Sequence, residues 1–425
     1  MNENAKHNTV AMSRVFALTL IALAMSVNAW AGEKVILNFN STDGQSPAGN
    51  LIADAAGNLY GVTYLGGIDC APNPGCGLVF RLSKVGGVWK ETILHKFTGG
   101  NDGYYPTSLI LDSVGNLYGT TDNGGGRGGS CNRGIGCGVV FKLIPAASGT
   151  WPERILYRFS GGDGLQPNAL AFDSHGNLYG TTRNGGGGST SCAPTGGCGV
   201  VFELTPAASV PWKLTDVHVF TYSSTNDPGL PTGLAIGAGD VIYVTTDSYI
   251  VQFTPGAGEW TSSVIHSFAE NGDGLFPSAS VILDAAGNVY GITGNGGSDN
   301  RGVVFELSPG SGSEWTESIL YSFGTGSDGR GPDSQLAFDA AGNLYGATFY
   351  GGGTAGKCTP DGCGTIFKLT PSTSLPWMES LPVRFVGTNG VYPAGGLVLN
   401  TDGNLYGTTG QGGVNHDGVL FEVTP

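Results

Sequence analysis

Apolar residues in this chain fall in short runs, each ended by Gly, Pro, Asn or Asp, and the runs recur in one order. A representative stretch begins Ser108-Leu109-Ile110-Leu111 and turns through Asp112, Gly115 and Asn116. Leu117-Tyr118-Gly119-Thr120-Thr121 follows, then a Gly-rich loop and Gly138-Val139-Val140-Phe141-Lys142-Leu143. A Pro-containing turn leads to Trp151 and to Arg154-Ile155-Leu156-Tyr157-Arg158-Phe159, after which Asp163-Gly164 and Pro167 open the next cycle. β-branched and aromatic runs bounded in this way predict strands, four to each cycle. The Asp-x-x-Gly-Asn turn predicts a tight hairpin, because Asp bonds its own backbone while Gly and Asn accept positive φ.

The cycle repeats along the whole chain. Gly-Asn-Leu-Tyr-Gly stands at residues 57–61, 115–119, 176–180, 342–346 and 403–407, and with Val for Leu at 287–291. A decayed copy reads Gly239-Asp240-Val241-Ile242-Tyr243-Val244. The seven tyrosines, Tyr60, Tyr118, Tyr179, Tyr243, Tyr290, Tyr345 and Tyr406, are spaced by 47 to 64 residues. A period of this length marks a propeller or solenoid, in which each unit buries its face against the next. Third-strand Phe residues number seven (Phe80, Phe141, Phe202, Phe253, Phe305, Phe367, Phe421), as do fourth-strand ones (Phe39, Phe97, Phe159, Phe220, Phe268, Phe323, Phe385). Yet the repeats open on a fourth strand, residues 35–39, and close on a third, residues 419–423. The expected fold is therefore all-β: a seven-bladed β-propeller over residues 32–425, with four antiparallel strands per blade and the last blade closed by the N-terminal strand.

Composition fits an all-β chain rich in turns: 75 Gly, 40 % hydrophobic residues and only 12 % charged. The formal net charge of −14 argues against nucleic acid or anionic membrane as partner. Lys6 and Arg14 precede an apolar run at residues 15–27, and Ala29-Trp30-Ala31 supplies small residues where a signal peptidase reads. Residues 1–31 are expected to be a signal peptide, the mature chain being secreted or periplasmic and monomeric. The apolar run is too short for a membrane span, which needs about 20 residues, and no second long apolar stretch exists. The first cysteine, Cys70, lies far beyond the run, so a lipid anchor is not expected.

The unit Leu-x-x-Asp-x-x-Gly-Asn-Leu-Tyr-Gly-Thr-Thr…Gly-Gly…Gly-Val-Val-Phe-x-Leu-Thr-Pro resembles the GloVer tandem repeat of bacterial extracellular proteins, over essentially all of residues 33–425. That repeat carries no assigned activity. The chain departs from many of its members in having no C-terminal sorting segment. Its fourth unit departs too, with Gly237 at the turn Asp and only Asp247-Ser248-Tyr249 for a loop. More loosely, the hairpin is similar to that of other secreted propellers, including some lyases.

In such a blade the loop between second and third strands shares one face, here called the top, with the loop to the next blade. All eight cysteines lie in second-to-third-strand loops, in local pairs: Cys70 with Cys76, Cys131 with Cys137, Cys192 with Cys198, Cys358 with Cys363. An exported chain with an even count favours disulfides. Zinc would need four convergent ligands, and free thiols are the remaining alternative. No metal site and no cofactor is expected, Ca²⁺ at the top-loop aspartates being the one alternative.

The other top loop carries Asp43, Asp102, Asp163, Asp227, Asp273 and Asp328. These read either as turn residues or as a carboxylate ring for Ca²⁺ or a basic ligand. Between each such turn Gly and its Pro stand two variable residues, among them Tyr104-Tyr105 and Leu275-Phe276 after Asp-Gly and Val391-Tyr392 after Asn389-Gly390. They either pack between blades or offer aromatic surfaces for a sugar or an apolar side chain. Tyr64 and Phe349-Tyr350, at the ends of second strands, join this set. The once-per-unit tryptophans, such as Trp89 and Trp151, and the repeat tyrosines read as packing.

Histidine is the usual general base. His95, His218 and His266 share one fourth-strand position, where other units have Tyr157 and Tyr321, and His175 sits in a bottom hairpin. Only His416, beside Asp417, falls on a top loop, and no pairing of a His with Glu or Lys is visible. No catalytic residue is assigned. The expected function is a binding or scaffolding module for an extracellular polysaccharide or protein. A carbohydrate-active hydrolase or lyase using top-face Asp residues, or a structural envelope protein, are the alternatives.

Overall fold

The computed structural model describes residues 32–424, except 71–73, 127–130, 132–135, 188–191, 193–195, 223–227, 270–271, 313, 354–357 and 359. The expected signal peptide and Asp227 lie outside these residues.

Seven antiparallel sheets form the ring. The first blade runs from strand Gln45–Ala53 to strand Val88–Lys96, and five more follow in chain order. The seventh holds Val391–Leu399, Leu405–Gln411, Val419–Thr424 and, as its outer strand, Gly32–Asn38. The first and last strands of the chain are thus hydrogen-bonded neighbours, Val35 facing Phe421. In blade six the first strand is split into Gly329–Pro332 and Ala337–Phe338. Among the described residues no helix is long and apolar enough to cross a membrane.

The blades are glued by aromatic contacts that repeat at every boundary. Each outer-strand Phe meets a third-strand Phe of the next blade, as in Phe97–Phe141 at 5.1 Å and Phe39–Phe80 at 5.3 Å. Edge-on pairs at such distances are favourable beyond their buried area. Within a blade the second Gly of Gly-Asn-Leu-Tyr-Gly faces that same Phe: Gly119 pairs with Phe141, and a Cβ there would overlap the ring. Near the bottom, a repeat Tyr packs on the Trp of the following blade, as in Tyr60–Trp151 at 6.1 Å. The hairpin Asp works as expected: Asp112 accepts from the backbone of Val114 and Asn116, the Asn116 amide and the Tyr118 hydroxyl.

Blade four corrects the strand alignment. Val244 stands where other blades have Gly and pairs with Val251, so Phe253 falls opposite Ile242. Phe253 is therefore two residues out of step with Phe80, which pairs with Gly61. Without the glycine there is no room for the ring at the usual place. Phe253 still reaches Phe220 from its shifted site, at 6.2 Å.

Candidate functional site

The first strands approach their counterparts in neighbouring blades and enter at the top through a proline. Polar side chains link them there: Thr107 Oγ1 donates to the carbonyl of Pro167, and Asn168 Nδ2 to that of Pro231. The residue before the proline is left-handed in all seven blades: Ser46 (φ 52°), Tyr105 (61°), Gln166 (59°), Leu230 (60°), Phe276 (57°), Gly331 (61°) and Tyr392 (58°). A following proline normally drives its predecessor to extended backbone, and a left-handed residue with a Cβ stores strain.

Contacts with the preceding blade hold that strain in place. The strained N–H donates to a carbonyl there: Tyr105 to Cys76 (3.0 Å), Gln166 to Cys137 (3.0 Å), Leu230 to Cys198 (2.7 Å), Tyr392 to Cys363 (3.0 Å). Gly331 uses Arg301 and Ser46 uses Asp417 in the same way. The proline then packs on the glycine after the cysteine; a Cβ on Gly77 would lie 2.6 Å from Pro106 Cδ. All eight cysteines are paired as Cys70–Cys76, Cys131–Cys137, Cys192–Cys198 and Cys358–Cys363, with Cα atoms 5.1–5.6 Å apart. The disulfides close the loops that present these carbonyls.

On this frame the variable residues form an upper rim. The Tyr105 ring lies flat on Tyr64, with centroids 4.3 Å apart and planes at 14°, and the Tyr64 hydroxyl donates to Asp122 at 3.1 Å. Burial, opposed by that bond and by Arg183, raises the Asp122 carboxyl. Tyr392 lies flat on Phe349 at 4.4 Å and edge-on to Tyr350 at 5.4 Å. Phe276 is 57 % exposed. Tyr104 is a correction to the set of exposed aromatics. It points into the core between blades, 6 % exposed beside Phe97 and Phe141, and burial pushes its phenol up to about 12.

Between blades five and six the rim opens into a cleft of about 490 Å³, lined by Phe276, Asn295, Asn300, Phe349 and Tyr350. Arg330 stands over the Tyr350 ring at 4.8 Å and binds Asp361 at 2.7 Å. Asp333 reaches the solvent of the cleft, yet the walls crowd it enough to raise its carboxyl to about 6, against a hydrogen bond from Ser278. His416 is exposed and left-handed. The Asp417 carboxyl is pushed up by partial burial and by Asp43.

The described top-loop Asp residues are held within their own turns. Each accepts from its own turn: Thr98 N to Asp102, Ser160 N to Asp163, Ala269 N to Asp273, Gly324 N to Asp328. Their second partners lie on outer strands. Tyr157 donates to Asp163 at 2.7 Å, and the Tyr321 hydroxyl lies within hydrogen-bond distance of both Asp328 (3.1 Å) and Glu379 of the next blade (2.8 Å). Asp102 and Asp163 therefore belong to two separate blade boundaries.

At two of the three outer strands that have His in place of Tyr, His95 and His266, clusters appear that the sequence reading missed. His95 Nε2 faces Asp102 Oδ2 at 3.8 Å and Glu153 Oε1 at 3.6 Å. His266 Nε2 faces Asp273 Oδ2 at 3.7 Å and Glu317 Oε1 at 3.4 Å. A signal was present: Glu33, Glu91, Glu153, Glu317 and Glu379 each stand six residues before an outer-strand Phe. Burial, reinforced by the neighbouring Asp, lifts the Glu153 and Glu317 carboxyls to about 8. Burial also lowers both imidazoles, with the Asp charge opposing.

A family model described as the Gloeobacter/Verrucomicrobia repeat matches residues 22–249 and 244–425. No curated protein matches the chain. Among solved structures, virginiamycin B lyase from Staphylococcus aureus superposes with a TM-score of 0.55 at 13 % identity, over 93 % of this chain and 99 % of that one. A streptogramin B lyase gives 0.57 at 12 % identity, over 93 % and 98 %. The extracellular domain of a hybrid two component system from B. thetaiotaomicron gives 0.55 at 13 % identity, over 93 % of this chain and 41 % of that one. At these identities the likeness is one of fold.

Proposed function

The chain belongs to the Gloeobacter/Verrucomicrobia repeat family, and from that premise we propose that it is an exported binding module whose upper rim holds an extracellular oligosaccharide. The observation that carries this reading is the cleft between blades five and six, where Phe276, Phe349 and Tyr350 stand beside Arg330, Asn295 and Asp333. Aromatic faces with a few convergent polar groups are what a sugar ring needs: stacking for its C–H face, donors and acceptors for its hydroxyls. A repeated frame that varies at its strained, rim-facing residue supports the same reading, since loops on a rigid scaffold carry recognition. The four disulfides fit an oxidising compartment, as does one fold neighbour being an extracellular domain.

The test is a glycan array probed with the mature chain, followed by calorimetry on any ligand found. Phe276→Ala and Tyr350→Ala should each weaken binding by about tenfold or more, the loss of one stacking contact of roughly 1.5 kcal/mol, with melting unchanged. Retention by an extracellular protein but by no glycan would replace the sugar with a protein ligand. Hydrolase chemistry with Asp102 and Asp163 as acid and base draws no support from carboxylates held at separate boundaries.

A further inference from the structure

We propose that His95, Asp102 and Glu153, and equally His266, Asp273 and Glu317, form two divalent transition-metal sites of the zinc class, each bridging adjacent blades at the outer strands.

The boundaries that carry Tyr instead of His show what is unusual. There the phenol hydroxyl bonds the turn Asp, and in one case also lies 2.8 Å from Oε2 of the next blade's Glu379, whose Oε1 is itself unpartnered, so what sets the His boundaries apart is the imidazole. At the His95 and His266 boundaries these bonds are missing. His95 Nε2, Glu153 Oε1, His266 Nε2 and Glu317 Oε1 are buried atoms without a hydrogen-bond partner, though they aim at one another. Buried polar atoms left so are costly and rare.

The spacing fits a cation better than a hydrogen bond. His-to-carboxylate separations of 3.4–3.8 Å are too long for the latter. Ligands about 2.0–2.1 Å from a tetrahedral zinc lie roughly 3.3–3.4 Å from one another. In both clusters the three ligand atoms all lie within 4.8 Å of one another, so small side-chain shifts would complete the set. One imidazole and two carboxylates suit Zn²⁺ or Mn²⁺, with water at the remaining position. The carboxylates are oriented from behind: Thr98 donates to Asp102 through its hydroxyl (2.7 Å) and its N–H (3.0 Å), and Ala269 N to Asp273 (3.2 Å). The same constellation at equivalent positions of two separate boundaries is what one repeated site would give.

The mature protein, stripped with EDTA and dialysed, should be titrated with ZnCl₂ and separately with MnCl₂, with bound metal counted by mass spectrometry. Cobalt substitution should add visible absorption from a nitrogen- and oxygen-ligated centre. Two equivalents per chain are expected, one for each cluster. His95→Tyr and His266→Tyr, which install the residue found at sister boundaries and so favour folding, should each remove one equivalent and together remove both. Absence of stoichiometric binding, or binding that survives the double variant, would overturn the proposal. Neither result depends on what the upper rim binds.

Discussion

The backbone N–H of Tyr105 donates to the carbonyl of Cys76 at 3.0 Å, across the boundary between the first two blades. One bond thus couples a disulfide-closed loop to a strained residue of the upper rim. The loop holds the carbonyl, the carbonyl holds Tyr105 left-handed, and the left-handed turn lays its ring on Tyr64.

Breaking the loop should therefore loosen the rim as well as the ring. Closing a loop of this size contributes roughly 2 kcal/mol on the chain-entropy estimate. Replacing Cys70 and Cys76 together by Ser is expected to lower stability by about that amount in denaturant titration. Hydrogen exchange should then rise at the Tyr105 amide more than at Leu109 in the middle of the same strand. Equal exchange at both would show that the disulfide does not act through this bond.

The strained position gives a second prediction, with opposite signs for stability and binding. Phe276 is left-handed at φ 57° and 57 % exposed, so its side chain adds little burial while its backbone is costly. Gly331 already fills the equivalent place in blade six. Phe276→Gly should stabilise the fold by about 1 kcal/mol through relief of left-handed strain. The same variant should lose the oligosaccharide. Phe276→Val should destabilise, because a β-branched residue tolerates this conformation worst.

Stability should fall as the pH rises from weakly acidic to weakly alkaline. Burial and the nearby Asp43 charge lift the Glu91 carboxyl from 4.5 to about 7; burial and Asp328 lift that of Glu379 to about 8. The native state holds these protons where the unfolded chain has released them, so stability declines from about pH 4.5 upwards and levels above 8. Hairpin carboxylates act in the other direction. Partial burial of Asp54, Asp112, Asp284 and Asp339 is outweighed by bonds from Asn, Tyr and backbone groups, and their carboxyls sit low. That stabilisation disappears as the pH drops through the acid range. Melting temperature should peak at about pH 4–5 in EDTA, and Glu379→Gln should flatten the alkaline slope. A maximum at pH 8 would refute the assignment of protons to these groups.

What the residue pattern revealed, and what it hid, follows from which interactions are local. The hairpin of Asp112 to Tyr118 is encoded within seven residues, and the Phe and Gly of each strand pair repeat on one period. The blade count and the closing strand were therefore readable. Glu153 beside His95 was not, because the two belong to different blades and meet only when the ring closes. The left-handed residues before proline were hidden for another reason: local preference there is for extended backbone, and a bond from the neighbouring blade overrides it. Blade four was misaligned because Val244 in place of Gly moves the Phe by two residues, a steric consequence visible only in the register. Tyr104 and Tyr105 look alike in sequence, yet one is buried and the other lies on the rim.

Closure of the ring by the chain's own first strand is the fourth test. Strand Gly32–Asn38 pairs along Val419–Thr424, and Phe39 then packs on Phe80 of blade one. Deleting residues 32–39 would expose the edge of the last blade and remove one of the repeating Phe contacts. An unpaired edge is a template for another chain, so the truncated protein should dimerise or aggregate in size-exclusion chromatography. Truncating Phe39 alone to Ala keeps the edge covered and should cost about 3–5 kcal/mol, the usual price of emptying a buried Phe site, without association. If the deletion stayed monomeric and melted as a single sharp transition near the intact temperature, the ring would not depend on this strand for its closure.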